Sequence, residues 1–140
     1  MFISELEAEH RKVITMGISD IGVSFLCWVF SAIYIACGHG KTSLGMVCLL
    51  IPFFLLGMTA LIIGLAGRYQ YMTLGVRCLS NLSMASFTVG MALVGVFEIA
   101  GVSKSAFLIP IWIGGVLTAI CSIVIFVFNV RKAKKDMELM

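Results

Sequence analysis

Residues 44–66 read LGMVCLLIPFFLLGMTALIIGLA, and this stretch contains no charged side chain. An α-helix of about 20 apolar residues crosses the roughly 30 Å of hydrocarbon in a bilayer, so this stretch predicts a membrane span. Three further apolar runs of comparable length lie at 18–37, 79–100 and 106–130. The pattern predicts an all-α integral membrane protein with a single membrane domain over residues 1–140. The domain would be a bundle of four transmembrane helices built from two helical hairpins.

The composition supports this class and argues against a soluble fold. Hydrophobic residues make up 61% of the chain and charged residues 12%, whereas charged residues are about 25% of an ordinary globular domain. The mean hydropathy is +1.10. The segments outside the four runs are too short to bury a core of their own. We therefore expect the lipid bilayer to surround the chain, and we expect no nucleic acid as a partner.

The placement of Lys and Arg predicts the orientation. The chain has 10 such residues, and the two loops at 38–43 and 101–105 carry only Lys41 and Lys104. By the positive-inside rule, the side that holds the other basic residues is the cytoplasm. Both termini and the loop between spans two and three are therefore predicted to be cytoplasmic, in a plasma or inner membrane. The basic residues on that side are Arg11, Lys12, Arg68, Arg77, Arg131, Lys132, Lys134 and Lys135.

The two ends of the chain carry charged segments with two interpretations each. Ser4 followed by Glu7 is a capping-box pattern, which predicts a cytoplasmic helix that begins at Ser4. This helix is either an extension of span one or a docking helix for a partner. The basic residues at the C-terminal end predict either contact with anionic lipid, worth about 1 kcal/mol per residue, or only a topology signal. These residues are Arg131, Lys132, Lys134 and Lys135.

Span one contains an acid, Asp20, where hydrocarbon should exclude charge. Ser24, Cys27 and Ser31 follow at spacings that place all four side chains on one helical stripe. A charge at mid-membrane costs about 2.5 to 3.5 kcal/mol on insertion scales, so this stripe is expected to face protein or water. Asp20 is either an interfacial acid that pairs with Arg68 or Arg77, or a functional acid that handles a proton or cation.

Span three is the most polar of the four, and its polar residues lie in the predicted cytoplasmic half. They are Asn81, Ser83, Ser86 and Thr88. Hydrogen bonds between membrane helices contribute about 0.6 kcal/mol each, so these residues predict either structural contacts or a polar cavity. A second acid, Glu98, lies at the outer end of this span near Lys104. It is predicted to lie too far from Asp20 to share a proton with it.

Small residues predict where helices pack closely, because they allow two backbones to approach. Span two presents Gly57, Ala60 and Gly64 on one side, span three has Gly90, and span four has Gly114. The small-residue faces of spans two and four exceed what one antiparallel bundle needs, so at least one is expected to contact another chain, with Gly64 as the first candidate. Span two should also bend in its outer half, because Pro52 has no N–H to donate.

No nucleophile with a matching base is recognisable, and no metal or cofactor signature occurs, so the sequence does not predict an enzyme. In outline, four short spans with an acid in the first resemble the small multidrug-resistance transporters. Asp20 lies near the interface, however, and spans two and three contain no Trp or Tyr, so no family is assigned. Two functions stay open. One is a non-catalytic accessory, assembly or immunity-type subunit; the other is a small proton- or cation-coupled transporter or channel working as an oligomer, with Asp20 as its acid.

Overall fold

The computed structural model describes residues 2–37, 43–68, 71–101 and 108–138, with side chains for residues 7–135 of these ranges. Within them the chain is helical and contains no strand. The elements in order are α1 (Phe2–Cys37), α2 (Leu44–Val47), a 3₁₀ turn (Cys48–Leu50), α3 (Ile51–Leu65), α4 (Leu74–Ala100) and α5 (Ile109–Glu138).

Four of these helical stretches are long and apolar enough to cross a membrane. The prediction of an all-α chain with four candidate spans is therefore confirmed at the level of length and composition. The stretches are Glu7–Cys37, Leu44–Leu65, Leu74–Ala100 and Ile109–Lys135.

The helices extend beyond the apolar runs that predicted them. α1 begins at Phe2 rather than at Ser4 and continues without a break into the first span. α4 begins at Leu74, where residues 79–100 were expected, and α5 continues to Glu138 instead of ending at 130. Hydrophobicity marks the part of a helix that suits hydrocarbon, but backbone hydrogen bonding continues as long as no residue interrupts it.

The bounds of α4 have clear local causes. Thr73 precedes it with extended backbone at φ −60° and ψ 161°. Gly101 ends it with φ +73°, a left-handed conformation that glycine adopts at low cost after a helix. Because α4 starts early, Arg77 lies within the helix rather than in the loop where it was expected.

The second span is interrupted near Pro52, as the sequence predicts. Pro52 has no N–H for the carbonyl of Cys48, and the N–H of Ile51 bonds that carbonyl instead, which produces the 3₁₀ turn between α2 and α3.

The small residues of span two pack against α1 of the same chain. A Cβ on Gly57 would lie 2.8 Å from the carbonyl oxygen of Gly17, and one on Gly64 would lie 3.1 Å from Cγ1 of Ile14. Residue numbers thus rise along α1 as they fall along α3, so the two helices are antiparallel. Ala60 is fully buried. The face expected to meet another chain is therefore covered by α1 of the same chain, because glycine and alanine let α1 approach the backbone of α3.

α4 and α5 also pack antiparallel. The hydroxyl of Ser83 donates to the carbonyl of Gly115 at 2.9 Å, and Gly90 packs on Trp112, whose Cε2 would lie 3.2 Å from a Cβ at residue 90. The connections at 38–42 and 102–107, which would close each pair into a hairpin, lie outside the described residues.

The packing role expected of Gly114 belongs to its neighbour. A Cβ at Gly114 would meet no atom within 4 Å, whereas one at Gly115 would lie 3.3 Å from Cε1 of Phe87. Consecutive residues of an α-helix are rotated by about 100°, so only one of two adjacent glycines can face α4. Gly114 therefore makes no close contact with the described helices of this chain, and its packing against another chain stays a prediction.

Candidate functional site

The polar stripe of α1 is buried against the rest of the chain. Asp20, Ser24 and Ser31 are only 5%, 3% and 5% exposed, respectively. The hydroxyl of Ser24 donates to the carbonyl of Leu50 at 2.9 Å, and that of Ser31 donates to the carbonyl of Met46 at 2.7 Å. The two serines thus join α1 to α2 and to the 3₁₀ turn that follows it in span two.

Asp20 has no such bond. Its Oδ2 atom is buried and has no hydrogen-bond partner. The ion pair with Arg68 or Arg77 that was one alternative for this acid is absent from the described residues. Arg77 bonds elsewhere. Its Nη2 lies 2.6 Å from Oε2 of Glu9, and its Nε donates to the carbonyl of Met72 at 2.8 Å. Glu9 precedes Asp20 by eleven residues, about 16 Å of helix, so Arg77 is remote from Asp20.

The polar residues of α4 divide into two groups. Ser80 and Ser83 face α5, where their hydroxyls bond to Ser122 at 2.7 Å and to the carbonyl of Gly115 at 2.9 Å. These two are structural contacts between helices. Asn81 differs, because its Oδ1 is buried and accepts no hydrogen bond.

Two more polar residues of α4 bond within their own helix. Ser86 donates to the carbonyl of Leu82 at 2.9 Å, and Thr88 donates to that of Met84 at 2.8 Å. Such bonds satisfy a hydroxyl in an apolar environment without a partner from another helix.

An open groove with a volume of about 300 Å³ lies between α1, the 3₁₀ turn and α4. Its walls are largely apolar, and Leu49 of the 3₁₀ turn contributes to them. Cys27 of α1 and Thr88 of α4 are among its lining residues, but the Thr88 hydroxyl is directed to the carbonyl of Met84. This groove is apolar, so it is not the polar cavity expected at span three, which stays a prediction.

Glu98 lies at the other end of α4 and has a different environment. The hydroxyl of Ser43 donates to its Oε2 at 2.5 Å, and the same hydroxyl accepts a bond from the N–H of Met46 at the start of α2. Glu98 thus connects α4 to the cap of α2. Lys104, the expected neighbour of Glu98, lies outside the described residues.

Asp20 and Asn81 are thus the two residues whose buried polar atoms lack partners in the described chain. No group of three or more His, Cys, Asp or Glu residues among the described residues is arranged to hold a metal ion. The chain matches no protein-family model, no curated protein and no solved structure. An unpaired buried carboxyl is suited to exchanging a proton or a small cation, since both neutralise its charge.

Proposed function

We propose that the four helices cross a membrane as two antiparallel hairpins, with both termini in the cytoplasm. The excess of basic residues at one end supports this orientation. The contact between Glu9 and Arg77 also supports it, because it brings the start of α1 and the start of α4 to the same end. A plasma or inner membrane fits this arrangement.

Within the membrane, the chain acts as a small transporter or channel coupled to protons or small cations, and Asp20 is its acid. The observation that supports this function is the carboxyl itself, which is 5% exposed with one oxygen lacking a hydrogen bond. Leaving a buried polar atom unpaired costs about 1 to 3 kcal/mol, and a residue held at such a cost is a candidate for binding.

The test is ion flux in reconstituted vesicles. Purified protein is placed in vesicles that contain a pH-sensitive dye, and proton entry is followed after imposing a membrane potential or a sodium gradient. We expect Asp20→Asn to lose at least ten-fold in rate, because only the titratable group is removed. Glu98→Gln is the matched control, since Glu98 bonds Ser43 at the far end of α4, and its rate should stay near wild type. Equal rates in wild type and Asp20→Asn would refute the function.

A second function is supported by α5. In this chain α5 packs mainly on α4, and many of its large apolar side chains are exposed, among them Ile113, Leu117 and Val124. Gly114 lies on this helix with open space beside it. Such a face suits an accessory, assembly or immunity-type subunit that binds another membrane protein, or a second copy in a homo-oligomer. Native mass spectrometry in lipid distinguishes binding of another membrane protein from binding of a second copy, because it identifies the bound chain.

The basic end of α5 supports a role for anionic lipid in either function. Arg131, Lys132, Lys134 and Lys135 follow the apolar part of the helix, and all four side chains are exposed. A helix holds these charges where the membrane surface begins, a position that favours contact with acidic headgroups.

A further inference from the structure

The open groove between α1 and α4 follows from the way the helices pair. In the described chain, α1 packs mainly on α3, and α4 packs mainly on α5. The 3₁₀ turn of span two contributes Leu49, which is only 2% exposed and forms the floor of the groove. The groove is therefore a gap between the two helix pairs that none of the described helices fills.

One face of each helix forms a wall of the groove. The α1 wall is a single helical face, because its residues recur at spacings of three, four and seven. They are Val23, Leu26, Cys27 and Phe30. The α4 wall consists of Thr88, Val89 and Ala92. Leu26, Phe30 and Val89 are each at least 50% exposed, so these three side chains lie at the mouth of the groove.

Hydrogen bonds hold the α1 wall at a fixed distance from span two. The hydroxyl of Ser24 donates to the carbonyl of Leu50 at 2.9 Å, and that of Ser31 donates to the carbonyl of Met46 at 2.7 Å. The two serines lie at the two ends of the lining face, and both are buried. Movement of α1 toward α4 would break these bonds and leave buried polar groups unpaired, which is costly.

Close backbone packing holds the α4 wall. A Cβ on Gly45 of α2 would lie 2.7 Å from the carbonyl oxygen of Met91, which lies between Val89 and Ala92 on α4. At this level α2 and α4 are already in contact, so α4 cannot come nearer to span two. Because both walls are fixed to span two, the groove cannot close by inward collapse of the helices. It is therefore a preformed space.

The position and the lining of the groove limit what can occupy it. Residues 23–30 and 88–92 lie within the apolar runs 18–37 and 79–100, so the groove lies well inside the hydrocarbon when these helices cross a membrane. The described lining contains no charged residue, and the Thr88 hydroxyl already donates to the carbonyl of Met84. A polar ligand or an ion would leave its own polar atoms unpaired there. The occupant is therefore a hydrocarbon.

The size of the groove favours a lipid chain over a helix. The α1 wall extends over seven residues, which is about 10 Å or two helical turns. A stable contact with another protein chain buries roughly 800 Å² on each partner. A groove of about 300 Å³ with eight described lining residues is too small for that, but its volume suits a small ligand.

We propose that the groove is a binding site for one acyl chain of a membrane lipid. The acyl chain lies on Leu49 between α1 and α4, and it supplies the dispersion contacts that the two walls do not make with each other. It thereby connects the two helix pairs between the polar contacts that join them at either end. This inference rests on the proposed position of the helices in a membrane, and it does not depend on ion transport.

The test is photolabelling of the purified protein in detergent micelles. The probe is a phosphatidylcholine with a diazirine at the end of one acyl chain, added in increasing amounts, and mass spectrometry of peptides identifies the labelled residues. We expect labelling of residues 23–30 and 88–92 to reach a plateau, at one bound lipid per chain by native mass spectrometry. Labelling of the exposed α5 residues Ile113 and Leu117 should instead increase in proportion to the probe.

Substitutions in the walls locate the site. Ala92→Leu fills the groove from α4 and should lower its labelling about ten-fold, because the added side chain takes the space of the acyl chain. Val23→Phe fills the same space from α1 and replaces Ala92→Leu where that variant does not fold. Gly22→Leu is the matched control and should label as wild type does, because a Cβ at residue 22 meets no atom within 4 Å. Thr88→Val should also bind normally, since a hydrocarbon needs no hydroxyl.

Four results would contradict the site or the membrane position on which it rests. Groove labelling that increases in proportion to the probe, as on α5, would show only general contact with lipid and overturn the site. So would equal plateaus in wild type, Ala92→Leu and Val23→Phe. A changed oligomeric state in Ala92→Leu with unchanged lipid binding would assign the groove to a second chain. Absence of label from both the groove and α5 would contradict the membrane position itself, whereas a lack of ion flux in vesicles would leave the acyl-chain site standing.

Discussion

At the scale of single residues, hydrogen-bond partners distinguish side chains that the sequence groups together. Ser83 and Asn81 lie two positions apart on α4, yet Ser83 donates to α5 and Asn81 leaves its oxygen without a donor. A bonded hydroxyl between membrane helices stabilises by about 0.6 kcal/mol, whereas an unpaired buried oxygen is destabilising. Ser24 and Asp20 on α1 differ in the same way, because the Ser24 hydroxyl is bonded and one oxygen of Asp20 is not.

This difference predicts opposite effects on stability. Asn81→Leu should leave the thermal unfolding midpoint unchanged or raise it, because it removes an unsatisfied oxygen at similar side-chain volume. Ser83→Ala should lower stability by about 0.6 kcal/mol, because it removes a bond to the carbonyl of Gly115. Unfolding of the two variants in the same lipid is the measurement. A large loss of stability in Asn81→Leu would mean that Asn81 has a structural role.

At the scale of helices, the second span is the least regular element. The 3₁₀ turn Cys48–Leu50 divides it, and two serines of α1 donate to the carbonyls of Met46, before the turn, and of Leu50, at its end. Serine donors from a neighbouring helix satisfy carbonyl groups where a proline disturbs the helical pattern. The sequence predicts the interruption from Pro52, but not which residues of α1 would bond beside it.

The adjacent glycines of α5 predict which face meets another chain. Gly114→Leu should leave the fold intact, since a Cβ there meets nothing within 4 Å, and should weaken any complex formed through that face. Gly115→Leu is the matched variant and should destabilise the chain itself, because residue 115 lies against Phe87. Native mass spectrometry and thermal unfolding measure the two effects. A complex unchanged by Gly114→Leu would assign the partner contact to another face, while an unaffected Gly115→Leu would contradict the α4–α5 packing.

At the scale of the whole molecule, α1 packs on span two and α4 packs on α5, and the two pairs meet where α2 and α3 contact α4. The ion pair of Glu9 with Arg77 joins the pairs at one end, and the bond of Ser43 with Glu98 joins them at the other. Asp20 and Asn81 lie between these two connections. The two helix pairs are thus joined by a polar contact at each end.

The native cysteines allow the orientation to be tested without new residues. Cys37 ends α1, Cys78 lies one turn into α4, and both are exposed. In intact cells, a membrane-impermeant maleimide should label Cys37, because the end of α1 is predicted to face outward, and should reach Cys78 only after permeabilisation. Cys37→Ser is the control for assignment by mass spectrometry. Labelling of Cys78 in intact cells, without labelling of Cys37, would invert the orientation.

The sequence alone determined the helical class, the four candidate spans and the interruption at Pro52, because hydrophobic length and a missing N–H are local properties. It did not determine which of two adjacent glycines faces α4, since that depends on the rotation of α5 about its own axis. Nor did the sequence determine the partner of Arg77. That residue lies inside α4, which begins at Leu74, and its side chain bonds to Glu9. Only the tertiary structure showed that Asp20 and Asn81 each bury one oxygen without a hydrogen-bond partner. Which side chains are left without a partner depends on how the helices pack against one another, and no local pattern encodes that packing.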